Sequence, residues 1–216
     1  MNLFKELIPF FSREWKEKYQ SILAWEQLNS LSENIQKFKD NTLDLNLPVF
    51  NEEIKIDRDE SFNQFIDVFN SKKSDEMKAR RLEEIPFEHW LNILGHRLTS
   101  ASLRDENAIP PMKKMLIEAC EKPFNNEIII AQRAWEKHVG RMNDEFWGEV
   151  KGNNQKKQQM VMEKINFILD HKTWWNVFYH YKHELVFEVR EKDGHGIRWS
   201  HGGENLIGFL EGFMNE

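Results

Sequence analysis

The chain reads as α+β, a mostly helical domain with a small C-terminal antiparallel β-meander. Three observations predict this class. Apolar residues recur at helical spacing through most of the first 169 positions. From Leu185 to Leu210 that spacing gives way to strict alternation. Gly194-His195-Gly196 and Gly202-Gly203 interrupt the alternation as turns. Strands segregated from helices along a chain imply α+β rather than a parallel sheet with interleaved helices.

Residues 1–40 form an N-terminal amphipathic region. Leu3, Leu7, Phe11 and Trp15 recur every four positions, and Tyr19, Ile22, Trp25 and Leu28 continue the stripe. Pro9 starts or kinks the helix. Residues 41–60 are a connector with at most an edge strand, because short alternations at Leu43-Leu45-Leu47 and Ile54-Ile56 flank Pro48. Residues 61–216 make up the body, and the whole reads as one domain. Ser61 with Gln64 predicts a capping box, and Ser74 predicts the cap of a charged helix. Pro86 suits the first turn of a helix whose Phe87, Trp90, Leu91, Leu94 and Leu98 share a face, with His89 and Arg97 pointing away. A loop over 104–111 precedes a helix over 112–122. Asn125 or Asn126 caps a further helix ended by Gly140 in the left-handed conformation. Asn154 caps the helix over 155–169.

The tail is the densest segment. It predicts a Trp/His-rich helix over 173–183, then strands over 185–191, 197–200 and 206–210. Four of the eight His and three of the eight Trp fall in it. Leu185, Phe187, Val189, Ile197 and Trp199 share one sheet face, and Glu188, Arg190 and Arg198 share the other. The plain expectation for that second face is a solvated, salt-bridged surface. A sharper one takes the glycine-flanked turns as an anion site, with His195, Arg198, His201 and Glu204 converging on a ligand. Trp174 and Trp175 cannot share a helix face, so the exposed member is a candidate interface anchor.

Composition narrows the functions. Hydrophobic residues are 40% and charged residues 31% of 216 positions, the balance of a folded chain with a well-solvated surface. The net charge of −6 disfavours nucleic acid, whose binding needs cations to replace phosphate counterions. One cysteine, Cys120, excludes an internal disulfide and reads as a core thiol. No apolar run approaches a membrane span, so a membrane partner is not expected. The cytoplasm is the expected location, with the nucleus left open. His180 and His183 are three apart on the expected helix, yet His-Tyr-Lys-His-Glu matches neither common zinc motif, and no metal or cofactor is expected. Glu188-Val189-Arg190 departs from the Glu-x-Lys of metal nucleases. Two readings follow: a soluble interaction, scaffold or assembly subunit whose partner is another protein, or an enzyme handling a small molecule or anion with its C-terminal His, Arg and Glu residues.

Overall fold

The computed structural model describes residues 2–141 and 144–213. Among these are eight α-helices and a four-stranded antiparallel sheet in the order β1-β2-β3-β4, an α+β fold. The chain divides into two units, one from Met1–Asp44 and Glu53–Ile109, the other from Leu45–Glu52 and Pro110–Glu216. The chain crosses between the units twice within 41–60, after Asp44 and after Glu52, and once more before the Pro110-Pro111 pair, so part of the expected connector runs with the second unit.

In the first unit the N-terminal stripe is not one helix. A 3-10 turn over Ile8–Phe10, α1 (Arg13–Lys18), a second 3-10 turn over Gln20–Leu23 and α2 (Trp25–Lys39) follow one another. Pro9 sits in the first 3-10 turn, and the Ser12 hydroxyl accepts from the Trp15 amide to start α1. The stripe is nevertheless core: Phe4, Phe11, Trp15 and Phe65 surround Trp90 at ring-centroid distances of 5.5, 6.3, 5.1 and 4.9 Å. Each such pair adds about 0.5–1.5 kcal/mol beyond area burial. α3 (Arg58–Asn70) is capped by Asp57, whose carboxylate accepts from the amides of Asp59 and Glu60. Ser61 instead lies buried inside α3, with its hydroxyl on His89 Nδ1 and Asn92 Nδ2. α4 (Asp75–Glu84) has the expected Ser74 cap. α5 (Phe87–Ile93) follows Pro86. Arg97 is 0% exposed rather than turned to solvent, and it pairs with Glu53.

The second unit holds α6 (Lys113–Glu121), α7 (Ile130–Val139), α8 (Asn154–His171), β1 (Lys172–His180), β2 (Glu184–Glu191), β3 (Gly196–Ser200) and β4 (Leu206–Leu210). Asn153, not Asn154, caps α8. Gly140 ends α7 with φ −67°, an ordinary right-handed value, so the expected left-handed stop is absent. The largest departure is β1: residues 173–180 form a strand that follows α8 with no connecting loop. The run Thr-Trp-Trp-Asn-Val-Phe-Tyr is rich in β-branched and aromatic residues, and pairing with β2 decides its conformation. One sheet face carries Trp175, Val177, Phe187, Val189, Ile197, Trp199 and Phe209, all buried, with α8 presenting Val161, Ile165, Ile168 and Leu169. Trp199 Nε1 donates to the Leu116 carbonyl at 3.2 Å, tying α6 to the sheet. Cys120 is fully buried, and burial pushes its thiol up to about 12. Among the described residues no helix is long and apolar enough to cross a membrane.

Candidate functional site

The other face of the sheet is where charge collects. Alternation puts Trp174, Asn176, Phe178 and His180 of β1 on it, with Val186, Glu188 and Arg190 of β2 and Arg198 of β3. Glu188 pairs across the ladder with both Asn176 and Arg198. The expected outer face is not solvated: Glu188 is 2% exposed. Phe50, from the short stretch that runs with this unit, packs on Trp174 at 5.5 Å and stacks on Phe213 at 5.6 Å. Thr173 Oγ1 donates to the Leu47 carbonyl at 2.6 Å and helps hold that stretch.

A buried carboxylate needs donors, and Glu188 has two guanidinium groups. Arg190 Nε donates to Oε1 at 2.6 Å, and Arg198 Nε donates to Oε2 at 2.7 Å. Arg190 spends its other donors on the Gly194 and Glu211 carbonyls, with its guanidinium carbon 4.2 Å from the Phe213 ring centroid. It is a fastener. Arg198 is less confined: its Nη1 lies 2.9 Å from His180 Nε2. Lys182 N lies 3.2 Å from His180 Nδ1; a neutral imidazole accepts at one nitrogen only, so one of these two contacts is a hydrogen bond at a time. Burial, then the charge of Arg198, then His183, holds His180 below the usual imidazole range, and Glu188 opposes the shift. An unprotonated imidazole beside a fixed guanidinium is a proton acceptor next to an anion holder.

His180 opens the β1–β2 hairpin, whose tip carries Tyr181, Lys182 and His183. Tyr179 is 63% and Tyr181 84% exposed, and the His183 ring stacks 5.1 Å from His180. Exposed aromatic rings interleaved with cations form a platform for unstacked bases.

The structure distributes the four expected ligand residues along β3. Only Arg198 joins the cluster. His195 lies in the β2–β3 turn, with Nε2 2.9 Å from Asp144 Oδ2, Nδ1 3.3 Å from Glu191 Oε1 and its ring stacked on Phe146 at 4.0 Å. Glu191 Oε1 also accepts from the amides of Asp193 and His195, so this group fastens the turn. Gly194 needs its φ of +93°, and a Cβ there would come within 2.6 Å of the Phe213 amide. His201 and Glu204 sit at the far end of β3, about 20 Å from His195 at a strand's rise per residue. There the His201 amide donates to the Leu185 carbonyl, and Lys122 Nζ donates to the Glu204 carbonyl at 2.6 Å. These four side chains do not converge. The exposed interface tryptophan is also missing: adjacent strand residues face opposite ways, and Trp174 and Trp175 are both 3% exposed because both faces are covered. His180, Tyr179 and Tyr181 were not legible as a site while 173–183 read as a helix. Among the described residues no group of three or more His, Cys, Asp or Glu side chains is placed to hold a metal ion.

Comparison with known proteins bears on this segment. Residues 117–211, which contain the whole sheet, match the model of the family described as CdiA C-terminal tRNase toxin domain. A solved structure, the toxic C-terminal tip of CdiA from Pseudomonas aeruginosa in complex with immune protein, is 26% identical. The match covers 44% of this chain and 99% of that one, with a TM-score of 0.39. No curated protein matches the chain. The family match overturns the expectation of a scaffold, assembly or general interaction protein: the matched segment is similar to a toxin domain that acts on tRNA, and its sheet face is a gripped charge cluster rather than a solvated rim.

Proposed function

We propose that the second unit is a ribonuclease that cleaves transfer RNA with side-chain acid–base chemistry at the β1–β3 face. The observation that carries this reading is His180 Nε2 held 2.9 Å from Arg198 Nη1, with Arg198 itself fixed by Glu188, inside the segment that matches the tRNase family. On substrate binding Arg198 Nη1 turns from His180 Nε2 to the phosphate, and the vacated Nε2 takes the proton of a ribose 2′-hydroxyl. The freed oxygen attacks the adjacent phosphorus while Arg198 holds the non-bridging oxygens. The P–O5′ bond breaks, leaving a 2′,3′-cyclic phosphate and a 5′-oxygen that is protonated by His183, the stacked and exposed ring. Glu188 positions Arg198. Tyr181, at the hairpin tip, stacks a base beside the scissile phosphate.

The negative net charge that argued against nucleic acid is a property of the whole chain, whereas this face and its hairpin tip carry two arginines, Lys182 and two histidines against the carboxylates of Glu188 and Glu184. The protein partner expected from the sequence enters this reading as an inhibitor that covers the hairpin; the CdiA tip cited above is itself in complex with an immune protein. A tRNA substrate keeps the proposed place of action in the cytoplasm.

The test is incubation of the full chain with purified tRNA, followed by chemical identification of the new ends. Cyclic-phosphate and 5′-hydroxyl ends, lost in His180→Ala, are expected. Intact tRNA in the presence of folded protein would refute the nuclease reading. Ends bearing 5′-phosphate would refute the 2′-hydroxyl route.

A further inference from the structure

We infer that the outer face of α7 is a second binding site in this unit, for the phosphate backbone of RNA, and that it holds the substrate while the His180–Arg198 face cuts it. The inference rests on the proposed ribonuclease reading and extends it to a surface outside the reacting cluster.

Arg133, Lys137 and Arg141 follow one another every fourth residue, so they form one ridge along α7 and its end. Four residues of helix rise about 6 Å, a spacing comparable to that of successive phosphates on an RNA strand. All three side chains are exposed, and among the described residues no carboxylate lies within ion-pair distance of any of them.

The ridge borders a pocket of about 630 Å³ between α7 and β4. Two of its features suit a nucleotide. Phe124 is 53% exposed, with the Arg133 guanidinium 5.8 Å from its ring centroid, an aromatic–cation pair on which a base can stack. His138 lines the inner wall, and its Nε2 is buried with no hydrogen-bond partner, an unfilled polar position within the pocket. Glu211 is the one acid in the lining, against three cations.

Gly208 connects this pocket to the reacting face. It lines the pocket and is also the direct cross-strand partner of Arg198. Cross-strand partners sit about 4.5–5.5 Å apart. Nothing lies within 4 Å of where a Gly208 Cβ would stand, so no side chain covers that point of β4. A strand of RNA leaving Arg198 over β4 meets the α7 cations next.

The experiment uses the full chain. Binding of intact tRNA is measured over a salt series in His180→Ala, with and without Arg133→Gln, Lys137→Gln and Arg141→Gln together. Loss of the ridge is expected to weaken binding about 10- to 100-fold and to lower the slope of log affinity against log salt by about 2–3. With His180 intact, the triple variant is expected to cleave a dinucleotide at the unaltered rate and tRNA more slowly. Unchanged tRNA affinity and salt slope overturn the inference. So does equal loss on dinucleotide and tRNA, which would make the ridge part of the reacting site, and so does capture of an acidic protein by the ridge with no RNA retained. If the unaltered chain cuts no RNA, the ribonuclease reading fails. Ridge-dependent tRNA retention by His180→Ala then still supports this binding site, and its absence overturns it.

Discussion

Replacing Glu188 with Gln tests the charge cluster at its centre. The carboxylate is 2% exposed and accepts from Arg190 at 2.6 Å and from Arg198 at 2.7 Å. A hydrogen bond to a charged group contributes about 1.5–3 kcal/mol, and breaking a buried pair costs about 3–5 kcal/mol because the surviving charge is stranded. The amide keeps the shape and one acceptor but leaves two guanidinium groups facing each other without a counter-charge. A loss of about 3 kcal/mol is expected. In urea, with a slope of about 1–3 kcal/mol per M for small domains, the midpoint should fall by about 1–3 M. Glu188 is also the group that raises His180, so its loss should push the His180 proton off at still lower pH. The acid limb of the tRNA cleavage profile should move down while the maximal rate falls, because Arg198 is no longer fixed. Equilibrium unfolding and a pH–rate profile read both effects. A Glu188→Gln chain with unaltered midpoint and unaltered profile would sink the argument that this carboxylate organises the face.

Three further outcomes follow from the same geometry. His180→Ala should reduce cleavage by about 10²–10⁴-fold without unfolding the chain, and the acid limb of the unaltered protein should lie below the usual imidazole value of about 6.5, checked by initial rates across pH. Tyr181→Ala, at a position 84% exposed, should leave stability within about 0.5 kcal/mol yet weaken tRNA binding by about 1–3 kcal/mol, read by thermal denaturation beside a binding titration. In the first unit, burial alone would raise the Glu53 carboxyl, but its bonds to Arg97 and Lys55 override this and hold it below the ordinary carboxylate range. A depressed acid contributes stability above its unfolded pKa of about 4.3 and loses it as pH falls toward the folded value. Arg97→Met should therefore flatten the acid side of the stability curve, measured by urea midpoints between pH 3 and 7.

The legible parts of the chain were those in which local pattern and tertiary demand agree. β2, β3 and β4 announce themselves by alternation between glycine turns, and β4 begins and ends at the expected residues. Ser74 caps α4 as its spacing predicts. β1 was illegible because two periods overlap in 173–183. His180 and His183 are three apart and the aromatic residues are dense, which suits a helix, while Thr173, Trp174, Val177 and Phe178 suit a strand. Only the ladder with β2 selects the strand. That single difference hid the site, since as a helix His180 ends an exposed turn and as a strand it faces Arg198. Glu188, Arg190 and Arg198 were legible as a set sharing a face. Their burial was not, because Phe50 and Phe213 reach that face from distant positions that no window of sequence connects to it.

The hairpins that carry this charge cluster are local. His180, Glu188, Arg190 and Arg198 lie within 19 consecutive residues and are brought together by two adjoining strand pairings. Contacts between near neighbours along a chain close quickly, because little loop entropy is lost in making them. The His180–Glu188–Arg198 geometry should therefore assemble early when this unit folds, and the distant Phe50 and Phe213 should then close over a constellation already in place.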